Sequence, residues 1–338
     1  MAAIAQNQPS RFDVWRNRTA TIRTAILYLA PAFIVMGIIT FYPLVYQVWM
    51  STTDYGVRNL RADAPPPNQV GLQNYEQIFT GELPVAIANF SFWNVLAFNL
   101  VWTFTNVPFH VIIGVLIAVL LNVKGLWLKR FYRAIYILPI VIPTLVIATV
   151  WRNMFDPDFG AVNLLLAEVG KVFGVSPEVF KIRWIDQVDP PISWLPLPLS
   201  YFALLITNIW LGWPFMTIVA TGALQSIPSD LYEAASIDGA SPRQSFFAIT
   251  VPLLRPAMVP AAVYGIVTTF NLFNLIYLLS GGGPLRKTEI LVTTAYRLVN
   301  ENRLYGVAAA FSVIIFFVLL GLTLVTNRIT KATERYDA

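Results

Sequence analysis

The sequence has no cysteine, a single histidine (His110) and few charged residues. The absence of cysteine excludes disulfide bonds, thiolate metal sites, covalent haem attachment and lipid anchoring through a thiol. The single histidine excludes a histidine-rich metal site. Charged residues make up 12% of the 338 residues, about half the ~25% of an ordinary soluble domain. A soluble protein of this length could not solvate its surface with so few charges.

Long apolar segments make up much of the chain. Hydrophobic residues account for 57% of the chain, and the mean hydropathy is +0.62. Six stretches contain no Asp, Glu, Lys or Arg, and each holds roughly 18 to 27 mostly apolar residues, the length that a helix needs to cross ~30 Å of hydrocarbon. These stretches are 24–53, 83–123, 134–151, 190–229, 256–285 and 304–327. The sequence therefore predicts an all-α, polytopic membrane protein.

We predict six transmembrane helices, at about 24–50, 92–121, 132–151, 199–222, 257–280 and 304–326. They form a transmembrane domain over 24–327, between an N-terminal tail (1–23) and a C-terminal tail (328–338). Thirteen of the 23 Lys and Arg residues, but only six of the 18 acidic residues, fall in 1–23, 122–133, 223–255 and 327–338. Because cytoplasmic segments of membrane proteins are enriched in Lys and Arg, we expect these four segments and both termini in the cytoplasm.

The pI of about 9.4 has the same explanation. The basic residues flank apolar segments rather than forming one basic stripe, so we expect contact with a lipid bilayer and no nucleic-acid partner. The segment 281–303 is an exception, since it carries four basic residues on the predicted outer side: Arg286, Lys287, Arg297 and Arg303. We expect a multi-pass protein of the cell (inner or plasma) membrane.

The predicted cytoplasmic loop 225–255 contains two helix signals in succession. Ser229 is expected to cap a short helix, and Gly239 can end that helix in the left-handed conformation. Ser241 and Gln244 match a capping box with a proline at the first helical position, which predicts a second helix directly afterwards. These signals alone leave two interpretations open: a docking element at the cytoplasmic surface, or a well-capped connecting loop.

This loop carries a recognisable motif. Glu233-Ala234-Ala235, Gly239, Ile249 and Pro252 follow the pattern EAA-x3-G-x9-I-x-LP, with Val251 where leucine is usual. The chain thus resembles the membrane subunits of ABC importers. Three further segments are similar to the carbohydrate-uptake branch, which includes maltose and glycerol-phosphate permeases: 208–214, 270–274 and 279–284. The maltose permease subunit has two further N-terminal spans and a large periplasmic domain that this chain lacks, which leaves the solute open.

The resemblance implies the permease fold of type I ABC importers. It also implies a complex in which separate subunits bind the solute, transport it and hydrolyse ATP. The chain would pair with a second, homologous permease subunit, two cytoplasmic ATPase subunits and an extracytoplasmic solute-binding protein. It has no G-x-x-x-x-G-K-[ST] phosphate loop, so the partner subunits would bind ATP and magnesium. We expect no cofactor, metal site or catalytic residue in this chain, and therefore no enzyme activity. Coupling to the ATPases is assigned to Glu233, Ala234, Ala235, Asp238 and Gly239.

Polar residues within the predicted spans are candidates for the solute path. Asn208, Leu211, Gly212 and Phe215 recur at i, i+3, i+4 and i+7 and so share one helix face. In the maltose-type relatives this face and that of Thr269 line the sugar site. We assign the path to seven residues: Asn208, Leu211, Gly212, Phe215, Thr269, Asn271 and Asn274. The alternative is that these polar groups only hold helices together.

The expected cargo is a maltose-like or oligosaccharide-like sugar, with glycerol-3-phosphate or another non-sugar solute as the alternative. An ion-coupled carrier is disfavoured, because such carriers use acidic or basic residues inside their spans and these spans have none. A membrane enzyme is disfavoured because no carboxylate pair or activated nucleophile is visible. We interpret His110 as a hydrogen-bond donor between helices, next to Pro108.

Overall fold

The computed structural model describes residues 11–85, 87, 89–123 and 125–330, with side chains from residue 23 onward. Residues 1–10 and 331–338 of the predicted tails lie outside this part of the chain. Within the described part, five helices are long and apolar enough to cross a membrane, and a bent pair of shorter helices adds a sixth span if it is taken as one. The protein is a multi-pass, α-helical membrane protein.

Twelve helices organise the described residues. In chain order they are α1 (Arg11–Met36, continued by Gly37–Phe41 and Tyr42–Ser51), α2 (Gln73–Thr80), α3 (Phe92–Leu121), α4 (Lys129–Val141), α5 (Thr144–Met154), α6 (Ala161–Val172), α7 (Leu199–Gln225), α8 (Ser229–Ile237), α9 (Pro242–Phe270), α10 (Phe273–Leu279), α11 (Leu291–Asn300) and α12 (Tyr305–Thr330). Short 3-10 turns lie at Val57–Leu60 and Pro177–Phe180. Helix α6 lies within the loop between α5 and α7.

Two long helices, α1 and α9, each contain one π turn. The turns lie at Gly37–Phe41 in α1 and at Phe246–Thr250 in α9. Each π turn ends two residues before a proline, Pro43 or Pro252. Proline has no N–H and its ring collides with the carbonyl four residues earlier in a regular helix. A local i→i−5 turn accommodates this change without ending the helix.

The span predicted over 132–151 is not one continuous helix. It consists of α4 and α5, which meet at an angle of 98°. The residue before a proline is driven out of the helical conformation, and Ile142, which precedes Pro143, has ψ 129°. Pro143 itself has ψ 136°, so two successive extended residues turn the chain.

The span predicted over 257–280 is interrupted as well. Helix α9 ends at Phe270, two non-helical residues follow, and α10 begins at Phe273. The break leaves carbonyl groups of the last turn without partners inside the helix. In a membrane such groups must find other donors in the protein, and α3 provides them.

Helices α3 and α7 form the centre of the bundle, with α9 packed against both. Three apolar clusters fill this bundle: one around α3, α11 and α12, one around α3, α7 and α10, and one between α3, α7 and α9 near the α8 end. Helix α1 is different, because no residue of its most apolar stretch is buried against the rest of the described chain. Its surface is therefore available to lipid or to another subunit.

The loop after α10 is held by a buried carboxylate. Glu289 is 1% exposed and pairs with Arg286 (3.0 Å) and Arg297 (2.8 Å). Thr294 donates a further hydrogen bond to the same carboxylate (3.0 Å). Arg286 and Arg297 belong to the four basic residues on the predicted outer side of the membrane. Both thus form ion pairs with Glu289 that hold this loop.

Candidate functional site

A cavity of about 280 Å³ lies between the α4–α5 bend, α7 and α9. The bend contributes irregular backbone in the middle of the apolar region, which membrane proteins tolerate where it lines a cavity or is covered by protein. None of the lining residues is charged. They are His110, Pro139, Ile140, Ile142, Thr144, Asn208, Leu211, Gly212, Phe215, Met216, Tyr264, Gly265, Thr268, Thr269 and Leu272. Such a lining suits a neutral solute with polar groups.

Five of the seven residues predicted for the solute path line this cavity: Asn208, Leu211, Gly212, Phe215 and Thr269. Asn271 and Asn274 do not. The side chain of Asn271 donates to the carbonyl of Val267 (3.1 Å) at the end of α9, and Asn274 is exposed on α10. Helical spacing cannot be extended from Thr269 to these residues, because the chain leaves the helix after Phe270.

A polar stripe on α3 connects the helices around the cavity. It comprises Asn99, Trp102, Asn106 and His110, which are spaced by three or four residues and so share one face. Trp102 Nε1 donates to the carbonyl of Thr269 and Asn99 Nδ2 donates to that of Phe270, both at 3.1 Å. These bonds satisfy the carbonyls at the broken end of α9. The stripe was not predicted from the sequence, although its spacing was a usable signal.

Asn208 joins α7 to the same stripe. Its Nδ2 donates to Asn106 Oδ1 (2.8 Å), and Asn106 Nδ2 in turn donates to the carbonyl of Trp102 (2.7 Å). His110 Nε2 lies 2.9 Å from the Asn208 carbonyl, which can only accept, so Nε2 is the donor. The interpretation of His110 as a donor between helices is thereby confirmed, while the Asn208 side chain lies both in the network and in the cavity lining.

Gly212 makes the contact between α7 and His110 possible. A β-carbon at this position would lie 2.5 Å from both Nδ1 and Nε2 of the imidazole ring. The histidine ring therefore occupies the space that any other residue at position 212 would need. Gly212 has a packing role that the sequence did not reveal.

Aromatic pairs support the cavity walls. Phe215 packs against Tyr264 across α7 and α9, with ring centroids 5.4 Å apart. On other faces of α7, Trp210 packs against Trp151 (5.9 Å) and Trp213 against Tyr136 (6.1 Å). Trp210 and Trp213 thus fix the bent pair α4–α5 rather than line the cavity.

The short helix α8 lies between α7 and α9 and has no buried residue. Its apolar side chains Ile237 (86% exposed) and Leu231 (43% exposed) are uncovered in the described chain. One side-chain bond holds it to α9, between Tyr232 Oη and Thr250 Oγ1 (2.9 Å). Glu233 is exposed as well. An exposed apolar helix with a single tether has the properties of a docking element.

The end of α8 has the predicted geometry. Gly239 has φ +81°, Ala240 donates its backbone N–H to the carbonyl of Ala235 (2.9 Å), and Gly239 donates to that of Ser236 (3.1 Å). This is a Schellman motif. The capping box at Ser241 and Gln244 is also present. The predicted cap at Ser229 is wrong: Pro228 is the N-cap, and its ring leaves no side-chain acceptor for the first turn.

Comparison with known proteins gives one family match and many relatives. Residues 110–335 match the family described as "Binding-protein-dependent transport system inner membrane component". The galactooligosaccharides transport system permease protein GanP of Bacillus subtilis (strain 168) is 33% identical over 89% of this chain and 69% of its own length. The trehalose/maltose transport system permease protein MalF of Thermococcus litoralis is 31% identical over 90% of this chain and 92% of its own length.

A solved structure has the same fold. It is a bacterial ABC transporter involved in the import of the acidic polysaccharide alginate, with a TM-score of 0.72 and 20% identity. The match covers 95% of this chain and 100% of that chain.

Proposed function

The chain belongs to the family of binding-protein-dependent transport system inner membrane components, and on that premise we propose that it forms the translocation path of an ATP-driven sugar importer. It is a transporter subunit rather than an enzyme. The observation that carries the sugar assignment is the set of relatives matched over about nine tenths of this chain, which are named for galactooligosaccharides, maltodextrin and trehalose or maltose.

The cavity supports a sugar over glycerol-3-phosphate. A phosphate group is bound in proteins by Arg, Lys or several backbone N–H groups, and the lining has no cationic side chain. Sugars are neutral and need hydroxyl and amide partners together with apolar or aromatic surface. Asn208, Thr268, Thr269 and the Phe215–Tyr264 pair provide these groups.

The class of the transported solute is tested with the extracytoplasmic binding protein that works with this complex. Maltotriose, trehalose, galactotriose and glycerol-3-phosphate are titrated calorimetrically into it. We expect heat of binding with at least one of the sugars and none with glycerol-3-phosphate. Binding of glycerol-3-phosphate alone would replace the sugar assignment by the alternative.

The proposal includes partners of three kinds: a second permease subunit, two ATPase subunits that hold ATP and magnesium, and an extracytoplasmic binding protein. The exposed face of α8 supports contact with the ATPases, and the uncovered apolar surface of α1 supports contact with lipid and the second permease. Purification of this chain through an affinity tag is expected to recover the permease and both ATPase copies. Recovery of this chain alone from a mild detergent extract would contradict that composition.

The proposed orientation places α8 and both termini in the cytoplasm. In this cysteine-free chain, Ser236→Cys on α8 and Ala62→Cys in the loop after α1 are both exposed sites for an impermeant maleimide. Asn68 is less suitable, because its two hydrogen bonds to Asp54 (2.7 and 2.9 Å) lower the pKa of that carboxyl and hold the loop. In intact cells we expect labelling at position 62 only. Labelling at 236 instead would invert the topology.

Asn208 and Asn274 form a matched pair for testing the path. Asn208 lines the cavity, whereas Asn274 is exposed on α10. Loss of one hydrogen bond to a sugar costs about 0.5–1.5 kcal/mol, or roughly a 2- to 13-fold loss in affinity at that step. We expect Asn208→Ala to lower sugar uptake by about this factor and Asn274→Ala to stay close to wild type. Uptake of labelled sugar by proteoliposomes measures both, and the reverse order would move the path to α10.

A further inference from the structure

His110 has one ring nitrogen with a defined partner and one without. Nε2 donates to the carbonyl of Asn208, which fixes the proton on that nitrogen in a neutral ring. The lining has no carboxylate to stabilise an imidazolium, and an unpaired charge inside a span is costly. Nδ1 therefore carries a lone pair, and it accepts no hydrogen bond from any residue in the described part of the chain. A buried acceptor without a donor is unfavourable unless another molecule supplies one.

The position of the ring indicates which molecule supplies it. His110 is 3% exposed and lines the cavity, and Nδ1 is not among the fully buried polar atoms that lack a partner in the described chain. The part of the ring that carries both nitrogens lies against Gly212, which also lines the cavity. Because Gly212 has no side chain, the imidazole ring of His110 on α3 can pack against α7 at this position and line the cavity.

The other nitrogen-bearing side chain of the lining is arranged in the same way. Asn208 donates its Nδ2 to Asn106 within the protein and leaves Oδ1 without a donor among the described residues. Both side chains line the cavity, and each thus has an acceptor atom without a partner in the described part of the chain. Acceptors complement the hydroxyl groups of a polyol, each of which can donate one hydrogen bond.

We infer that His110 is a solute-binding residue, whose Nδ1 accepts a hydrogen bond from a hydroxyl group of the transported sugar. The inference rests on the proposed function and adds a contact from α3, a helix to which the sequence assigned no part of the path. The bond to the Asn208 carbonyl is then the positioning contact that keeps Nδ1 unprotonated and the ring in place.

Two substitutions separate the ligand contact from the helix contact. His110→Gln keeps an N–H donor near the position of Nε2 and loses the acceptor at Nδ1, whereas His110→Asn keeps an acceptor near Nδ1 and loses the donor to Asn208. The complex is trapped with a non-hydrolysable ATP analogue and titrated with tritiated maltotriose, trehalose or galactotriose, whichever the wild type retains. We expect His110→Gln to weaken retention about 2- to 13-fold with an unchanged melting temperature. We expect His110→Asn to melt earlier and to retain more sugar than His110→Gln.

Monodeoxy analogues of the retained sugar identify the hydroxyl group. In the wild type, one analogue should bind about 2- to 13-fold more weakly than the parent, and in His110→Gln the same analogue should bind as well as the parent. Wild-type retention by His110→Gln, or an equal loss for every analogue, would overturn the role of His110 and leave the proposed function intact. Failure of the wild-type complex to retain any of the three sugars would overturn the proposed function itself.

Discussion

Substitution of Gly239 by valine is expected to leave the complex assembled in the membrane but to reduce sugar transported per ATP hydrolysed by about 5- to 30-fold. Gly239 has φ +81° at the end of α8, and a β-carbon in this region costs about 1–2 kcal/mol. Apart from its chain neighbours, no described residue has an atom within 4 Å of the position of that β-carbon, so the penalty comes from the backbone conformation. The strained turn would displace α8, whose exposed face we propose as the contact with the ATPases.

The control for this prediction is Gly239→Asn. Asparagine adopts the left-handed conformation far more readily than valine does, so this variant should retain most of the coupling. Uptake and phosphate release are measured on the same proteoliposomes. A wild-type ratio in Gly239→Val would show that the geometry of α8 does not transmit the ATPase movement.

Substitution of Gly212 by leucine is expected to abolish uptake, and even Gly212→Ala should destabilise the protein by about 1–3 kcal/mol, since overpacking a filled site carries costs of that order. The cause is steric, because the new β-carbon would collide with the ring of His110, which is held by Asn208. The α3–α7 contact would open and the cavity would lose its shape.

Two controls isolate this contact. Gly222 lies on the same helix, and outside that helix no described residue has an atom within 4 Å of the position that a β-carbon would take, so Gly222→Leu should transport normally. The double substitution Gly212→Ala with His110→Ala removes the obstructing ring, and its loss of stability should be smaller than the sum of the two single losses. Additive losses, or normal uptake by Gly212→Leu, would contradict the proposed packing. Thermal unfolding of the purified complex and sugar uptake provide the two readings.

The sequence predicted those parts of the fold that depend on local pattern. The boundaries of α3 coincide with the predicted 92–121 because a serine cap and a charge-free apolar run define both ends. The turn at Gly239 and the capping box at Ser241 were predictable because each depends on residues within one helical turn. The bend at Ile142–Pro143 was not, since a proline within a span often produces only a kink.

The site was predicted less completely than the fold. Asn208, Gly212 and Thr269 share the cavity because they lie on α7 and on the regular part of α9, Val251–Phe270. Asn271 and Asn274 do not line the cavity, because the chain leaves the helix after Phe270. Contacts between distant helices, such as those of Trp102 and Asn99 with the end of α9, require knowledge of which helices pack together, and a single sequence does not contain it.

We propose that this chain carries a sugar path driven by ATP hydrolysis in partner subunits. The direct measurement is uptake of labelled maltotriose, trehalose or galactotriose by proteoliposomes containing the whole complex, with the binding protein on one side and ATP on the other. We expect accumulation only when ATP and binding protein are both present, and none from a proton or sodium gradient. Accumulation driven by an ion gradient without ATP would contradict the claim.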